Sequence, residues 1–530
     1  MKERKRRRLK KFKFHPVTSL ILLLFFVVIL SGVLSLFNLQ ASYRVVDPTS
    51  QEIRTVAVEI VSLLNYDGFK YLISSASSNF ASFSGLTTLL IGLIGLSIAH
   101  ASGLIDAFIQ RITLNVSNKV ITFFLILIAV ASNLVNDIGY GVLIPFGALI
   151  FLANKRSPLL GITAAFSGVA FGYGANFFVG ATEISLIPFT SASAKLIESE
   201  MHIALMSNIF IMIASTIIIA IVGTIVTESI IIKRIGRYRV DDDISSDTRE
   251  EKILSDLDDS LRIERKLAEK RGLRYAAITG ILIVLSFIYM IIPNLPLSGI
   301  LLDMNQKAYI HQLFGSHSYF HDGFTYMVSL LFVFSGVAYA IGAKTVKNDK
   351  ELLEKAAQYL RNVGYVVLIV FFFVQVIAAF RASNIGLLIS CYGAELIQTL
   401  GFKSVPLIIL TMVTIGISGL FYPSMVNKWT IFSPVVIPLM MQSNISPQFA
   451  QFIFRAADSM SKGITPLMGY FVIYLAYLNI YNTNKEPITI KKALHFIYPY
   501  ALIIALTWIF IILGWYLVGL PIGPNVYPTM

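Results

Sequence analysis

The sequence predicts an all-α polytopic membrane protein of about nine transmembrane helices and two re-entrant helical hairpins, arranged as an inverted-topology repeat. Three observations carry this. Of 530 residues, 56% are hydrophobic and 14% charged, with a mean hydropathy of +0.73, whereas soluble domains carry about a quarter charged residues. Apolar runs of about 20 residues recur, long enough to cross a ~30 Å hydrocarbon core. Finally, an apolar stretch twice stops at a polar knot and resumes. Asn133-Leu134-Val135-Asn136-Asp137 interrupts the run 119–152, and Ser424-Met425-Val426-Asn427-Lys428 interrupts the run 403–441. A proline follows each knot (Pro145, Pro434). Broken helices at corresponding positions of two halves point to a secondary transporter. The composition excludes a soluble enzyme. The single cysteine, Cys391, excludes a disulfide framework and cysteine metal clusters.

The elements follow in order. Residues 1–15 form a basic cytoplasmic tail. The apolar stretch after it is too long for a signal peptide and lacks a clean small-residue cleavage site, so it reads as an uncleaved first helix. Residues 16–81 hold that span (16–38) and an external segment. The first repeat, 82–230, contains a span at 82–104, the hairpin 119–152, a broken span at 158–189 and a span at 203–230. Residues 231–272 are a hydrophilic cytoplasmic linker with a short helix, mixing Asp241, Asp242 and Asp243 with Arg262, Arg265 and Lys266. Two connecting spans, 273–293 and 324–343, fill 273–358. The second repeat, 359–530, contains spans at 360–400, 447–480 and 493–520 and the hairpin 403–441.

Loop charges orient this frame. Lys155, Arg156, Lys233, Arg234, Arg237, Arg239, Lys344, Lys347, Lys485, Lys491 and Lys492 fall on one side, while the loops near 40–81, 190–202 and 294–323 are poorer in Lys and Arg. The positive-inside rule places the N-terminus in the cytoplasm and the C-terminus outside, in the plasma membrane. The net charge of +13 therefore lies mostly in orienting segments and does not signal nucleic-acid binding. Within this frame, span, hairpin, broken span and span occur twice in opposite orientations.

Ionisable groups inside spans are costly and mark function. They are Asp137, Glu183, Lys428, and the pair Arg455 and Asp458, which share one helical face. Each has a plainer reading. Arg455 and Asp458 can neutralise one another structurally. Glu183 can sit at the outer interface, and Lys428 can snorkel to water. Gly172, Gly174, Gly463 and Pro466 break the third and eighth spans, freeing carbonyls for a cation and amides for an anion. Asn136, Asn176, Asn384, Ser424 and Asn427 add neutral oxygens. Amide-rich knots favour Na⁺, held at Asn136 and Asn427, while the carboxylates equally suit H⁺. The ion-coupling set is therefore Asn136, Asp137, Glu183, Ser424, Asn427 and Asp458. The solute-binding set is Trp429, Arg455, Asp458, Asn176, Asn384 and Pro466. The Trp429 indole can stack on a flat solute or simply pack in the core. His311, His317, His321 and Asp322 in one external loop suggest a metal only weakly, because their spacing is irregular. No catalytic residue and no cofactor is expected.

The residues also resemble a known family. Trp515-Tyr516-Leu517-Val518-Gly519-Leu520-Pro521-Ile522-Gly523-Pro524-Asn525-Val526-Tyr527-Pro528 is similar to the closing signature of the p-aminobenzoyl-glutamate transporter (AbgT) family. Residues 145–151, Ser383-Asn384, residues 447–458 and the spacing from Trp429 to Arg455 match as well. The resemblance implies a homodimer with nine spans and two hairpins per subunit, each subunit with its own solute path. It implies uptake of p-aminobenzoyl-glutamate, or export of sulfonamide antimetabolites by cation-driven antiport. It places transport residues at Trp429, Pro447, Arg455, Asp458 and Pro466. Two features depart from the family pattern. The third-span acid is Glu183 where Asp is usual, and Val426 and Lys428 stand where serine and an apolar residue are usual. The function expected is ion-coupled transport of an anionic aromatic amide. Another small carboxylate or a peptide-like solute is the alternative. An intramembrane enzyme lacks any HExxH or GxSxG motif, and the absence of GxxxxGK[ST] leaves an ion gradient as the energy source.

Overall fold

In a computed structural model, the structure is described for residues 14–135, 137–236, 259–315, 317–483 and 486–530. Residues 1–13 of the basic tail, Asn136, Arg237, Arg239, Asp241, Asp242, Asp243, Lys485 and the side chain of Arg262 lie outside the described residues. In chain order the main elements are α1 (Pro16–Ser35), β1 (Gln40–Val46), β2 (Ile53–Glu59), α2 (Ser84–Ala101), α3 (Asn118–Ala131), α4 (Ile144–Ala153), α5 (Pro158–Phe171), α6 (Ala181–Ala194) and α7 (Ile209–Ile235). There follow α8 (Asp259–Ile291), α9 (Tyr319–Ala343), α10 (Val363–Ala382), α11 (Ile385–Leu400), α12 (Ser404–Phe421), α13 (Met425–Gln442), α14 (Pro447–Lys462), α15 (Phe471–Ile480) and α16 (Ile490–Val518).

Among the described residues, eight helices are long and apolar enough to cross a membrane: α1, α2, α7, α8, α9, α10, α12 and α16. In lipid the backbone must satisfy its own hydrogen bonds, and an uninterrupted apolar helix does so within one segment. Seven of the eight fall in expected spans; α12 is the first arm of the second hairpin. The expected spans 158–189 and 447–480 are each two short helices, α5 with α6 and α14 with α15. The span 360–400 divides at Asn384, whose left-handed backbone (φ 59°) separates α10 from α11.

Both knots are true reversals. Between α3 and α4 the chain makes one 3₁₀ turn and one π turn. Arg156, just past α4, donates to the Asn118 carbonyl (3.3 Å) and the Thr122 hydroxyl (3.0 Å) at the start of α3. The segment therefore enters and leaves at the same end. Each hairpin holds the first half of the broken span that follows it. Gly168 of α5 packs on Ala129 of α3, and Gly161 of α5 packs on Phe151 of α4. Likewise Gly419 of α12 packs on Ser461 of α14, and Lys428 of α13 reaches Asp458 of α14. The halves α5 and α14 then cross antiparallel, with Phe171 against Gly463 and Gly174 against Ser459. The inverted repeat is thus present as geometry.

The connections gather at two ends. At one end His15 meets Tyr365 (3.3 Å), Thr345 bonds the Ser102 carbonyl (2.7 Å), and Arg234 bonds the His495 carbonyl (2.7 Å). Tyr359 links these groups, lying 4.9 Å from the His100 ring and bonding Tyr481. At the other end the C-terminal tail covers the start of α14, where the Ser446 amide bonds the Pro528 carbonyl (2.8 Å).

Two expectations are corrected. The external segment 40–81 is not simply a loop. β1 and β2 pair antiparallel, Gln40 opposite Glu59, followed by short helices at 66–74 and 76–81. The β-branched residues of Ile53–Glu59 favour such a strand. The helix expected in the linker is not separate from the fifth span, because α8 runs unbroken from 259 to 291.

Arg156 also pairs with Glu228 of α7 at 2.7 Å, which fastens the first hairpin to α7. Replacing Arg156 with Met leaves Glu228 largely buried without its cation. We expect a loss of about 3 kcal/mol of stability, with partial recovery when Glu228→Gln is added. Thermal unfolding in detergent measures both; equal melting temperatures for wild type and Arg156→Met would contradict the fastening role.

Candidate functional site

The site lies where the two broken spans cross. Gly172 and Gly174 end α5, and Gly463 with Pro466 ends α14, because glycine disfavours helix and proline lacks an amide hydrogen. The crossing demands small residues. A Cβ on Gly174 would lie 3.0 Å from the Arg455 carbonyl oxygen, and one on Gly463 would lie 2.6 Å from the Phe171 ring. Backbone freed at this depth finds side-chain partners. Trp508 Nε1 donates to the Phe171 carbonyl (3.1 Å), Asn133 Nδ2 to the Val169 carbonyl (3.0 Å) and Arg455 Nη2 to the Tyr173 carbonyl (3.5 Å). In the second break, the Thr465 hydroxyl donates to the Leu420 carbonyl at the hairpin tip (2.6 Å). These bonds replace the water the breaks would otherwise need.

Two ion-pair clusters occupy the crossing. Arg455, 2% exposed, pairs with Glu183 at the start of α6. The other Glu183 oxygen accepts from the Gly180 amide (3.0 Å), so this carboxylate also caps the helix. Asp458, 1% exposed, holds two ammonium groups, Lys428 Nζ at 2.5 Å and Lys462 Nζ at 3.3 Å. Lys462 also lies 3.1 Å from the centroid of the Tyr173 ring. Asp137, partly exposed, lies in the field of Lys462 and bonds the Tyr470 hydroxyl. The six groups balance in formal charge: Arg455, Lys428 and Lys462 against Glu183, Asp458 and Asp137.

Three plain readings of the sequence are overturned. Arg455 and Asp458 share a helix face but do not pair with one another; each takes a partner from another element. Glu183 is not at an interface but 3% exposed. Lys428 does not snorkel, being fully buried on Asp458.

Other expected residues are spread around this centre. Trp429 is fully buried, its indole N–H donating to the Thr190 hydroxyl (2.8 Å) and its ring 4.4 Å from that of Phe454. In this conformation its ring and its donor serve packing between α13, α6 and α14. Asn176 is buried in the first break and accepts from the Phe177 amide (2.8 Å). Pro466 is partly exposed in the second break. Asn384 and Ser424 line a separate cleft of about 100 Å³ at the second hairpin tip, beside Arg381, Phe380 and Tyr422. The Asn384 amide there bonds the Glu59 carbonyl (3.1 Å). Asn427 is exposed and meets the Tyr422 hydroxyl. The external-loop histidines form no group of three or more metal-binding side chains among the described residues.

Sequence reasoning missed Lys462, Tyr173 and Tyr470. Lys462 stands four residues after Asp458, a spacing that puts both on one helix face and could have been read. The two tyrosines are brought in by folding alone.

Glu183→Gln preserves shape and removes the charge facing Arg455. The stranded guanidinium should cost about 3–5 kcal/mol of stability. Adding Arg455→Met should cost less than the sum of the single changes. A denaturation series on the four proteins tests this, and strict additivity would show that the two side chains do not interact.

A family model described as the AbgT putative transporter family matches residues 11–530. A p-aminobenzoyl-glutamate transport protein of Escherichia coli K12 is 27% identical over 516 residues, covering 97% of this chain and 94% of that protein. Two solved structures are also similar. The YdaH transporter of Alcanivorax borkumensis is 27% identical over 96% of this chain and 100% of that one, with a TM-score of 0.47. MtrF of Neisseria gonorrhoeae, described with a class of antimetabolite efflux pumps, is 28% identical over 97% and 98%, with a TM-score of 0.47. With a match from residue 11 to the last residue, the chain belongs to the AbgT family and is a membrane transporter, not an enzyme.

Proposed function

We propose that this protein is an ion-coupled secondary transporter of p-aminobenzoyl-glutamate or a related aromatic amide or sulfonamide antimetabolite. The observation that carries the reading is the charge-balanced cluster at the crossing of two broken helices. Opened helices at the interface of two inverted repeats are where secondary transporters bind solute and ion. The similarity to a p-aminobenzoyl-glutamate transport protein supports the solute class. Arg455 is the planar cation suited to a carboxylate. For a solute to use it, the pair with Glu183 must exchange one carboxylate for another, a step that keeps the buried charge compensated. Tyr173, Asp137, Pro466 and Tyr470 are partly exposed around the crossing and give it an approach. Na⁺ or H⁺ supplies the energy, and the imposed gradients set uptake or efflux. A small carboxylate of another kind would use the same arginine and remains the second reading.

The protein sits in the plasma membrane, N-terminus inside and C-terminus outside. The gathering of Arg156, Arg234 and Lys344 with the start of α1 at one end supports this through the positive-inside rule. A homodimer embedded in lipid is the assembly proposed. The exposed apolar residues of α8, among them Ile278, Ile281, Leu282 and Leu285, need lipid or protein against them.

Arg455→Lys keeps the charge and loses the bidentate fork. Solute affinity should fall by about 1–3 kcal/mol, the worth of a charge-assisted hydrogen bond. Uptake of radiolabelled p-aminobenzoyl-glutamate into proteoliposomes reads this; wild-type affinity in the folded variant would make Arg455 purely structural. Orientation is tested by cysteine labelling in a Cys391→Ser background. A membrane-impermeant maleimide added to intact cells should label Asn525→Cys and spare Lys347→Cys; the opposite pattern would invert the protein.

A further inference from the structure

We propose that Lys428 is a tethered monovalent cation: its ammonium fills the place at Asp458 that a coupling Na⁺ would take, so that this carrier works without Na⁺. The inference rests on the transport reading above and deepens it by assigning the cation at the same site.

Both oxygens of Asp458 already face a cation of the chain, Lys428 on Oδ1 (2.5 Å) and Lys462 on Oδ2 (3.3 Å). Lys428 enters between the arms of the second hairpin and α14. Its Nζ lies 3.0 Å from the position a Cβ on Gly419 would take, and that same Cβ would collide with the Ser461 hydroxyl. The ammonium therefore plugs a slot walled by α12 on one side and α14 on the other, and it is fully buried there. A buried carboxylate needs a compensating cation, and a cation held by its own chain supplies that at every stage of a cycle. A free cation would enter against two positive charges within a few ångströms, where low dielectric makes repulsion strong.

No other group competes for Lys428. From the elements packed on α13, the ionisable residues are Arg455, Asp458 and Lys462 of α14, Glu183 of α6, Cys391, Tyr392 and Glu395 of α11, and Tyr43 and Arg44 of β1; α12 contributes none. Among the described residues, Asp458 is the ion-pair partner of Lys428 and Arg455 is that of Glu183. Of the neutral oxygens expected to hold Na⁺, Asn136 lies outside the described residues, and the two described ones from the second knot do not face Asp458. Asn427 is exposed and Ser424 lines the separate cleft.

The test has one arm without solute and one with it. In detergent at fixed ionic strength, the melting temperature of the wild-type protein is compared in Na⁺ and in choline. Wild type and Lys428→Arg, which keeps a tethered cation, should show no difference. Lys428→Ala empties the slot beside Asp458 and should melt several degrees higher in Na⁺ than in choline, with saturation; Lys428→Gln serves if the alanine variant does not fold. In proteoliposomes, wild-type uptake of p-aminobenzoyl-glutamate should change less than twofold when Na⁺ replaces choline. Saturable stabilisation of the wild type by Na⁺, or uptake driven by a Na⁺ gradient, overturns the proposal. So does a truncated variant, alanine or glutamine, that is indifferent to Na⁺. Failure of the solute reading appears separately, as absent uptake in every salt alongside the expected melting behaviour.

Discussion

Placing six charges near the crossing of two broken helices is the constraint on which the rest of the structure depends. An isolated ion in a low-dielectric interior costs many kcal/mol, so each must meet an opposite charge at short range. Arg455 and Asp458 stand three residues apart on one helix, yet their partners come from three places: α6, α13 and α14 itself. That requirement fixes where α6 starts, how deep the second hairpin reaches and how closely α5 approaches α14. The glycines at 174 and 463 follow from it, because only a missing side chain allows that approach.

The same constraint explains why the backbone opens here without collapsing. An interrupted helix in lipid strands several amides and carbonyls, and water is not available to rescue them. Here Trp508, Asn133, Thr465 and Glu183 each bond one stranded group. The first break is therefore supported from outside its span by the first hairpin and by α16, and the second is tied through Thr465 to the tip of the second hairpin. A transporter needs such a centre, polar enough to receive a charged solute and held firmly enough to persist in hydrocarbon. It also needs partners that can exchange. In the function proposed above, the Arg455 pair is that kind of contact, with a solute carboxylate taking the place of the Glu183 carboxylate. The Asp458 cluster is of another kind, because both of its cations belong to the chain.

The sequence determined the membrane class, the positions of most spans, both hairpins and both breaks. The physical reason is that these depend on local signals: apolar run length, glycine and proline, and the charge of flanking loops. It also marked Asp137, Glu183, Lys428, Arg455 and Asp458 as unusual, since a charge inside an apolar run is visible without any structure. What only the tertiary structure decided was pairing. Helical spacing put Arg455 beside Asp458, and long-range packing separated them by bringing Glu183 from over 270 residues away to one and Lys428 from 30 residues away to the other. It decided that Lys428 faces inward rather than toward water, that Trp429 is closed in by Thr190 and Phe454, and that Asn384 holds the β-hairpin through Glu59. A run of sequence states which residues are charged and where helices fail; which charge meets which depends on how two inverted halves cross, and that is set by contacts between residues far apart in the chain.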